Sequence, residues 1–178
     1  MKESALVKKC IDGDQKAQRA LFEMFAPKML GVCLRYAKNQ EQAEDVLQDG
    51  FIKVFNGLSK YSGLGSLEGW IRRIMVNTSL DQIRKETKFQ DNIGFDDVDF
   101  KIETNSFIIE GLMAEDLLLL INNMPDGYRT VFNLFAIEGY SHKEIADELL
   151  ISESTSKSQY SRARAFLQEK LKELGIER

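Results

Sequence analysis

Between Ser152 and Leu167 the chain carries Thr155, Lys157, Ser158 and Arg162, flanked by Ser161 and Arg164. The only acidic residue in that stretch is Glu153, which leaves a net charge of +2. Short hydroxyl side chains can hydrogen-bond base edges, and arginine can engage guanine or phosphate. One helix face holding this set could therefore read duplex nucleic acid, although a merely solvated face has the same composition. The flanking residues favour the first reading. Ser141 is a good N-cap and Glu144 follows three residues later, the pairing of a capping box. Ile145, Ala146 and Leu149 share one face, Leu150 and Ile151 make a turn, and Ser152 caps the next helix. In that helix Tyr160, Ala163, Leu167, Leu171 and Leu174 recur at helical spacing and predict a buried stripe. Two short helices, a tight turn and a polar second helix have the pattern of a DNA-reading helix-turn-helix.

A second set of residues lies in the N-terminal half. From Gln40 to Leu58, residues Ala43, Val46, Leu47, Phe51, Val54, Phe55 and Leu58 form one apolar helix face. Asp45, Gln48, Asp49, Ile52 and Asn56 fall on the opposite side. An isoleucine on an acidic, polar face suggests a protein partner; the plainer reading is a single exposed apolar residue. A glycine-containing loop from Lys60 to Glu68 follows, with Tyr61 in it, and then a long amphipathic helix from Leu67 to Lys88. Trp70, Ile71 and Ile74 are expected to pack inward. Arg73, Asn77, Arg84 and Lys88 fall near one azimuth. A basic stripe beside a glycine loop with an aromatic suits single-stranded or distorted nucleic acid.

Four blocks carry a wider likeness: DGDQKA at Asp12–Ala17, AEDVLQDGFIKVF at Ala43–Phe55, WIRRIMVNTSLDQIRK at Trp70–Lys85, and EIADELLISESTSKSQYSRAR at Glu144–Arg164. In that order, in a chain of this size, they resemble an ECF (extracytoplasmic-function) sigma factor of bacterial RNA polymerase over nearly the whole length. The resemblance implies docking of Asp45, Gln48, Asp49 and Ile52 on the clamp of the largest polymerase subunit. It implies that Tyr61, Arg73, Asn77, Arg84 and Lys88 serve the minus-ten element, where a base leaves the stack. Thr155, Lys157, Ser158 and Arg162 would read the minus-thirty-five element in the major groove. Core polymerase and promoter DNA are the implied partners, with an anti-sigma factor as antagonist. Two positions depart from the family pattern. Leu150 stands where the turn often carries Gly. Ser156 stands where Val is usual, on the buried stripe, and a serine there can bond back to the carbonyl four residues earlier.

Composition sets the frame. The chain has 178 residues, two prolines (Pro27 and Pro125), long stretches of helical period and no convincing strand alternation, so an all-α fold is expected. Residues Asp91 to Asp116 hold eight acidic side chains against Lys101, a net charge of −7 within a chain of −4. The remainder is thus +3, which suits a nucleic-acid partner. The acidic stretch lacks helical period. It predicts a flexible linker over residues 90–110 between a domain at 1–89 and a helix-turn-helix domain at 111–178. Four helices are expected in each half. In the N-terminal half the first begins at Leu6 and resumes through Phe25, and the second starts at Pro27. In the C-terminal half helices are expected over Leu112–Asn123 and Gly127–Glu138. No apolar run reaches membrane-spanning length and the N-terminus lacks a signal-peptide core, so a cytoplasmic protein without membrane insertion is expected. Cys10 and Cys33 read as buried free thiols, and His142 is the only histidine, too few ligands for a zinc site. No cofactor is expected. No phosphate-binding glycine motif or nucleophile–histidine pairing suggests an enzyme. The competing readings are a stand-alone helix-turn-helix regulator and a protein-interaction bundle.

Overall fold

The computed structural model describes the backbone of residues 3–89 and 114–175, and the side chains of residues 3–86 and 116–175. The expected linker over 90–110 and the side chain of Lys88 lie outside the described residues. Among these, every regular element is helical: α1 Glu3–Ile11, α2 Gln15–Leu34, α3 Gln40–Gly57, a short 3-10 turn at Leu58–Lys60, α4 Leu67–Phe89, α5 Ala114–Asn122, α6 Asp126–Phe132, a π turn at Asn133–Ile137, α7 His142–Leu149 and α8 Glu153–Glu173. The chain divides into two compact units, Met1–Phe89 and Gln90–Arg178.

In the N-terminal unit, α2, α3 and α4 pack on one another and α1 lies on α2. The break between α1 and α2 comes at Gly13, whose φ of 82° is open to glycine. Asp14 then caps α2, accepting from the amides of Lys16 at 2.9 Å and Ala17 at 3.1 Å. The spacing predicts a new helix at Pro27; instead α2 runs through that proline. Pro27 forfeits one helical hydrogen bond. On either side of it Phe25, Ala26, Met29 and Val32 are buried, and that burial outweighs the local penalty. On α4, Leu67, Ile71, Met75 and Leu80 are buried against α2 and α3. A Cβ at Gly50 would overlap the Met75 thioether, so a larger residue there would make that side chain move aside. Trp70 and Ile74, expected inside, are only half-buried. Cys10 and Cys33 are buried and free, and burial pushes the Cys33 thiol up to about 12.

The C-terminal unit is built around α8. Ile121, Met124, Ala163 and Leu167 form its centre, with Leu117, Leu120, Tyr128, Phe132, Ile137 and Phe166 packed against them. The helix predicted over 127–138 ends differently: after Phe132 it widens into the π turn, closed by the Glu138 amide on the Asn133 carbonyl at 2.9 Å. Widening keeps Leu134 fully buried while the Phe135 ring lies against His142. Leu174, assigned to the buried stripe, caps the end of α8 and is 58% exposed. It lies past the last turn that α8 packs against the other helices.

Leu150 joins α7 to α8 with φ 56° and ψ 42°, and its side chain is 85% exposed. A left-handed backbone costs a side-chain-bearing residue about 1–2 kcal/mol. Part of that is offset by the lower chain entropy of leucine when unfolded. Leu150→Gly is therefore expected to stabilise this unit by about 0.5–1 kcal/mol, read as a rise in urea midpoint with unchanged m. A lowered midpoint would mean that the leucine side chain makes contacts worth more than the strain.

Candidate nucleic-acid interface

The helix-turn-helix is held by local caps. The Ser141 amide donates to Glu144 Oε2 at 2.8 Å and the Glu144 amide to Ser141 Oγ at 3.2 Å, a complete capping box. The Ile151 amide closes the turn on the Ala146 carbonyl at 3.1 Å. Ser152 Oγ then accepts from the Thr155 amide at 3.0 Å and starts α8.

On the outer side of α8, Lys157 is exposed and pairs with Glu153 at 2.7 Å. Thr155 Oγ1 lies 2.8 Å from Ser152 Oγ, and Ser158 Oγ donates to the Thr155 carbonyl at 3.0 Å. Arg162 is half-buried two turns further along. Thr155, Lys157 and Ser158 thus share the N-terminal turns of the helix, the end that a recognition helix presents to bases.

Ser156 does not bond back to its own helix. It is fully buried, and its Oγ lies 2.9 Å from Nδ1 of His142, the first residue of α7. The imidazole stacks on Phe135 with centroids 4.3 Å apart and meets Tyr160 edge-on at 5.9 Å. Burial holds the imidazole below its ordinary value of 6.5, helped by the Lys157 ammonium and opposed by Glu153. Sequence reasoning singled out Ser156 and passed over His142. A hydroxyl on an apolar stripe demands a partner, and that was the one signal available.

In the N-terminal unit, Asp45, Gln48, Asp49 and Ile52 all stand on the exposed face of α3, with Ile52 58% exposed. The opposite face buries Ala43, Val46, Leu47, Phe51 and Val54. Tyr61 is half-buried: its hydroxyl donates to the Gly65 carbonyl at 2.8 Å and its ring packs on Trp70 at 5.5 Å. Those contacts brace the glycine loop and leave Leu64 at its tip in solvent. Arg73 and Asn77 are exposed on α4.

The same stripe of α4 holds an acid that sequence reasoning left out. Asp81 sits four residues beyond Asn77 and takes Arg84 Nη1 on one oxygen at 3.0 Å and Lys53 Nζ of α3 on the other at 2.9 Å. The helical offset from Asn77 would have located Asp81; nothing in the sequence would have located Lys53. Among the described residues, no three His, Cys, Asp or Glu side chains are grouped to hold a metal ion. No described helix is long and apolar enough to cross a membrane.

Comparison with known proteins agrees with this architecture. Residues 21–89 match sigma-70 region 2, and residues 114–167 match sigma-70 region 4. An ECF RNA polymerase sigma-E factor of Haemophilus influenzae is 25% identical, over 97% of this chain and 96% of its own. The ECF RNA polymerase sigma factor SigW of Bacillus subtilis is 26% identical, over 94% and 96%. The sigma factor RpoE of Bartonella quintana, solved in complex with the anti-sigma factor NepR, has a similar fold at 24% identity, with a TM-score of 0.52 over 86% of this chain and 96% of that one. Two helical units matching sigma regions 2 and 4 define a sigma-70-type transcription factor. Within that class, the chain belongs to the ECF sigma factors. A stand-alone regulator has no region 2, and that reading is set aside.

Proposed function

We propose that this sigma factor gives core RNA polymerase its promoter choice through three surfaces. Asp45, Gln48, Asp49 and Ile52 of α3 dock on the clamp of the largest polymerase subunit. The loop braced by Tyr61, together with Arg73, Asn77, Arg84 and Lys88 of α4, holds and opens the minus-ten element. Thr155, Lys157, Ser158 and Arg162 read the minus-thirty-five element as duplex. In this scheme residues 1–89 and 111–178 are the working domains and the acidic residues 90–110 tether them. Tethering two weak sites raises their effective concentration on adjacent elements. The factor acts in the cytoplasm with the polymerase, and an anti-sigma factor covering the α3 face is the antagonist to expect. No step needs a catalytic residue or a cofactor.

The observation that carries this reading is the exposed stripe of α3 that carries Ile52, standing in the same unit as the basic stripe of α4. A protein that only bound DNA would have no use for it. Run-off transcription with purified core polymerase, with and without the chain, is the test. Discrete transcripts that require the chain support the reading. A duplex footprint without core, and no transcripts, would count against it.

Asp81 provides a sharper check on the α4 surface. Its carboxylate neutralises Arg84 and Lys53 where phosphate is proposed to lie. Asp81→Asn is expected to tighten binding of non-promoter DNA several-fold at low salt. It should also steepen the salt dependence by about one counterion, some 0.7–0.9 in slope. Fluorescence anisotropy across a salt series reads both. An unchanged slope would move the DNA track off this stripe.

A further inference from the structure

We infer that His142 is a positioning residue for the recognition helix: through Ser156 it fixes the first turn of α8 against α7, and it makes reading of the upstream element sensitive to pH. The inference rests on the reading of α8 as the helix that enters the major groove. Ser156 is fully buried, so its hydroxyl must find a partner inside the unit. The Ser152 carbonyl accepts the Ser156 amide at 3.0 Å and has a second lone pair for the hydroxyl, as the Met75 carbonyl has for that of Ser79. His142 Nδ1, at 2.9 Å, takes the hydroxyl instead. Thr155 precedes Ser156, and Lys157 and Ser158 follow it. Any shift of this turn moves three of the four side chains assigned to the upstream element.

The imidazole is fixed from three sides. It opens α7 directly after the Ser141 cap, stacks on Phe135 of the π turn with 14° between planes, and meets the Tyr160 phenol of α8 edge-on. The charged groups acting on it are Lys157 and Glu153, both on α8. Neutral imidazole with its proton on Nε2 leaves Nδ1 free to accept the Ser156 hydroxyl proton. Protonated imidazole can only donate there, so the Ser156 hydroxyl must accept from it and turn its own proton back onto the Ser152 carbonyl, which gives up the bond that now sets the turn. The new positive charge also faces the Lys157 ammonium. Burial and Lys157 already lower the imidazole's affinity for its proton. Acid therefore works against the folded arrangement: the contribution of the neutral pair is fully present above the ordinary value of 6.5 and is lost as pH falls from there through the lowered value of the folded imidazole.

The test uses holoenzyme reconstituted from core polymerase and the full chain, on a promoter identified by run-off transcription. Binding is compared with the same promoter carrying a scrambled upstream element, between about pH 5 and 8. The wild-type preference for the intact upstream element is expected to fall several-fold at the acid end. His142→Gln, which can still hydrogen-bond Ser156 but cannot take a charge, should flatten that profile. Ser156→Ala should lower the preference several-fold at neutral pH while core binding and thermal unfolding stay close to wild type. If both variants track wild type at every pH, the pair is packing alone and the inference is overturned. Arg162→Ala serves as the control for the underlying reading. If Arg162→Ala leaves the upstream preference intact, the assignment of α8 has failed rather than the role of His142.

Discussion

Replacing Ile52 by glutamate is expected to weaken binding to core polymerase by about 2–4 kcal/mol, roughly 30- to 1,000-fold in Kd. Ile52 is the large apolar side chain on an otherwise polar stripe, and 58% of it is exposed in the free protein. A large apolar residue that is desolvated on docking is usually an interface anchor, and the neighbouring Asp45, Gln48 and Asp49 would lie toward the rim. The substitution adds a charge to a contact that desolvates on docking, and that cost falls on the complex alone. The fold should not notice, because the side chain already faces water. Titration of labelled core with the variant, alongside its thermal unfolding, separates the two effects. Unchanged affinity with normal unfolding would remove Ile52 from the docking surface. Asp49→Ala, at the rim, is expected to cost far less.

Ile145→Ala should do the opposite, destroying one unit and sparing the other. Ile145 is the one fully buried side chain of α7. Removing it leaves a cavity and costs about 2–5 kcal/mol. A unit of this size has little reserve, because small domains bury proportionally less surface. With α7 detached, the capping box and the His142–Ser156 bond lose their framework. The expected result is two separate unfolding transitions, the first moved to low denaturant and the second unmoved. Core binding through α3 should survive while dependence on the upstream element disappears. A single cooperative transition, shifted as a whole, would show that the two units fold together.

Much of this was legible in the chain itself, and the pattern of what was missed is physical. The Ser141–Glu144 capping box and the Ser152 cap were readable because each involves residues within one turn of one another. The apolar faces of α3 and α8 were readable because a helix repeats every 3.6 residues. The break at Pro27 was wrongly predicted for the same reason: local rules give proline a strong say, while the burial that overrides it comes from α3 and α4. The back-bond expected of Ser156 was the local option, and a partner on another helix displaced it.

What the sequence determined by itself was the class of fold, the helix-turn-helix, the acidic stripe that carries Ile52 and the exposure of Arg73 and Asn77 on one face of α4. All of these are written in periodicity, caps and charge. Tertiary structure alone decided the long α2, the π turn beneath His142, the exposure of Leu174 and the two cross-helix pairs. His142 meets Ser156 across 14 residues, and Lys53 meets Asp81 across 28. Separations of that size are bridged only when whole helices cross, and the crossing is set by buried side chains such as Met75 against Gly50 rather than by the polar groups themselves.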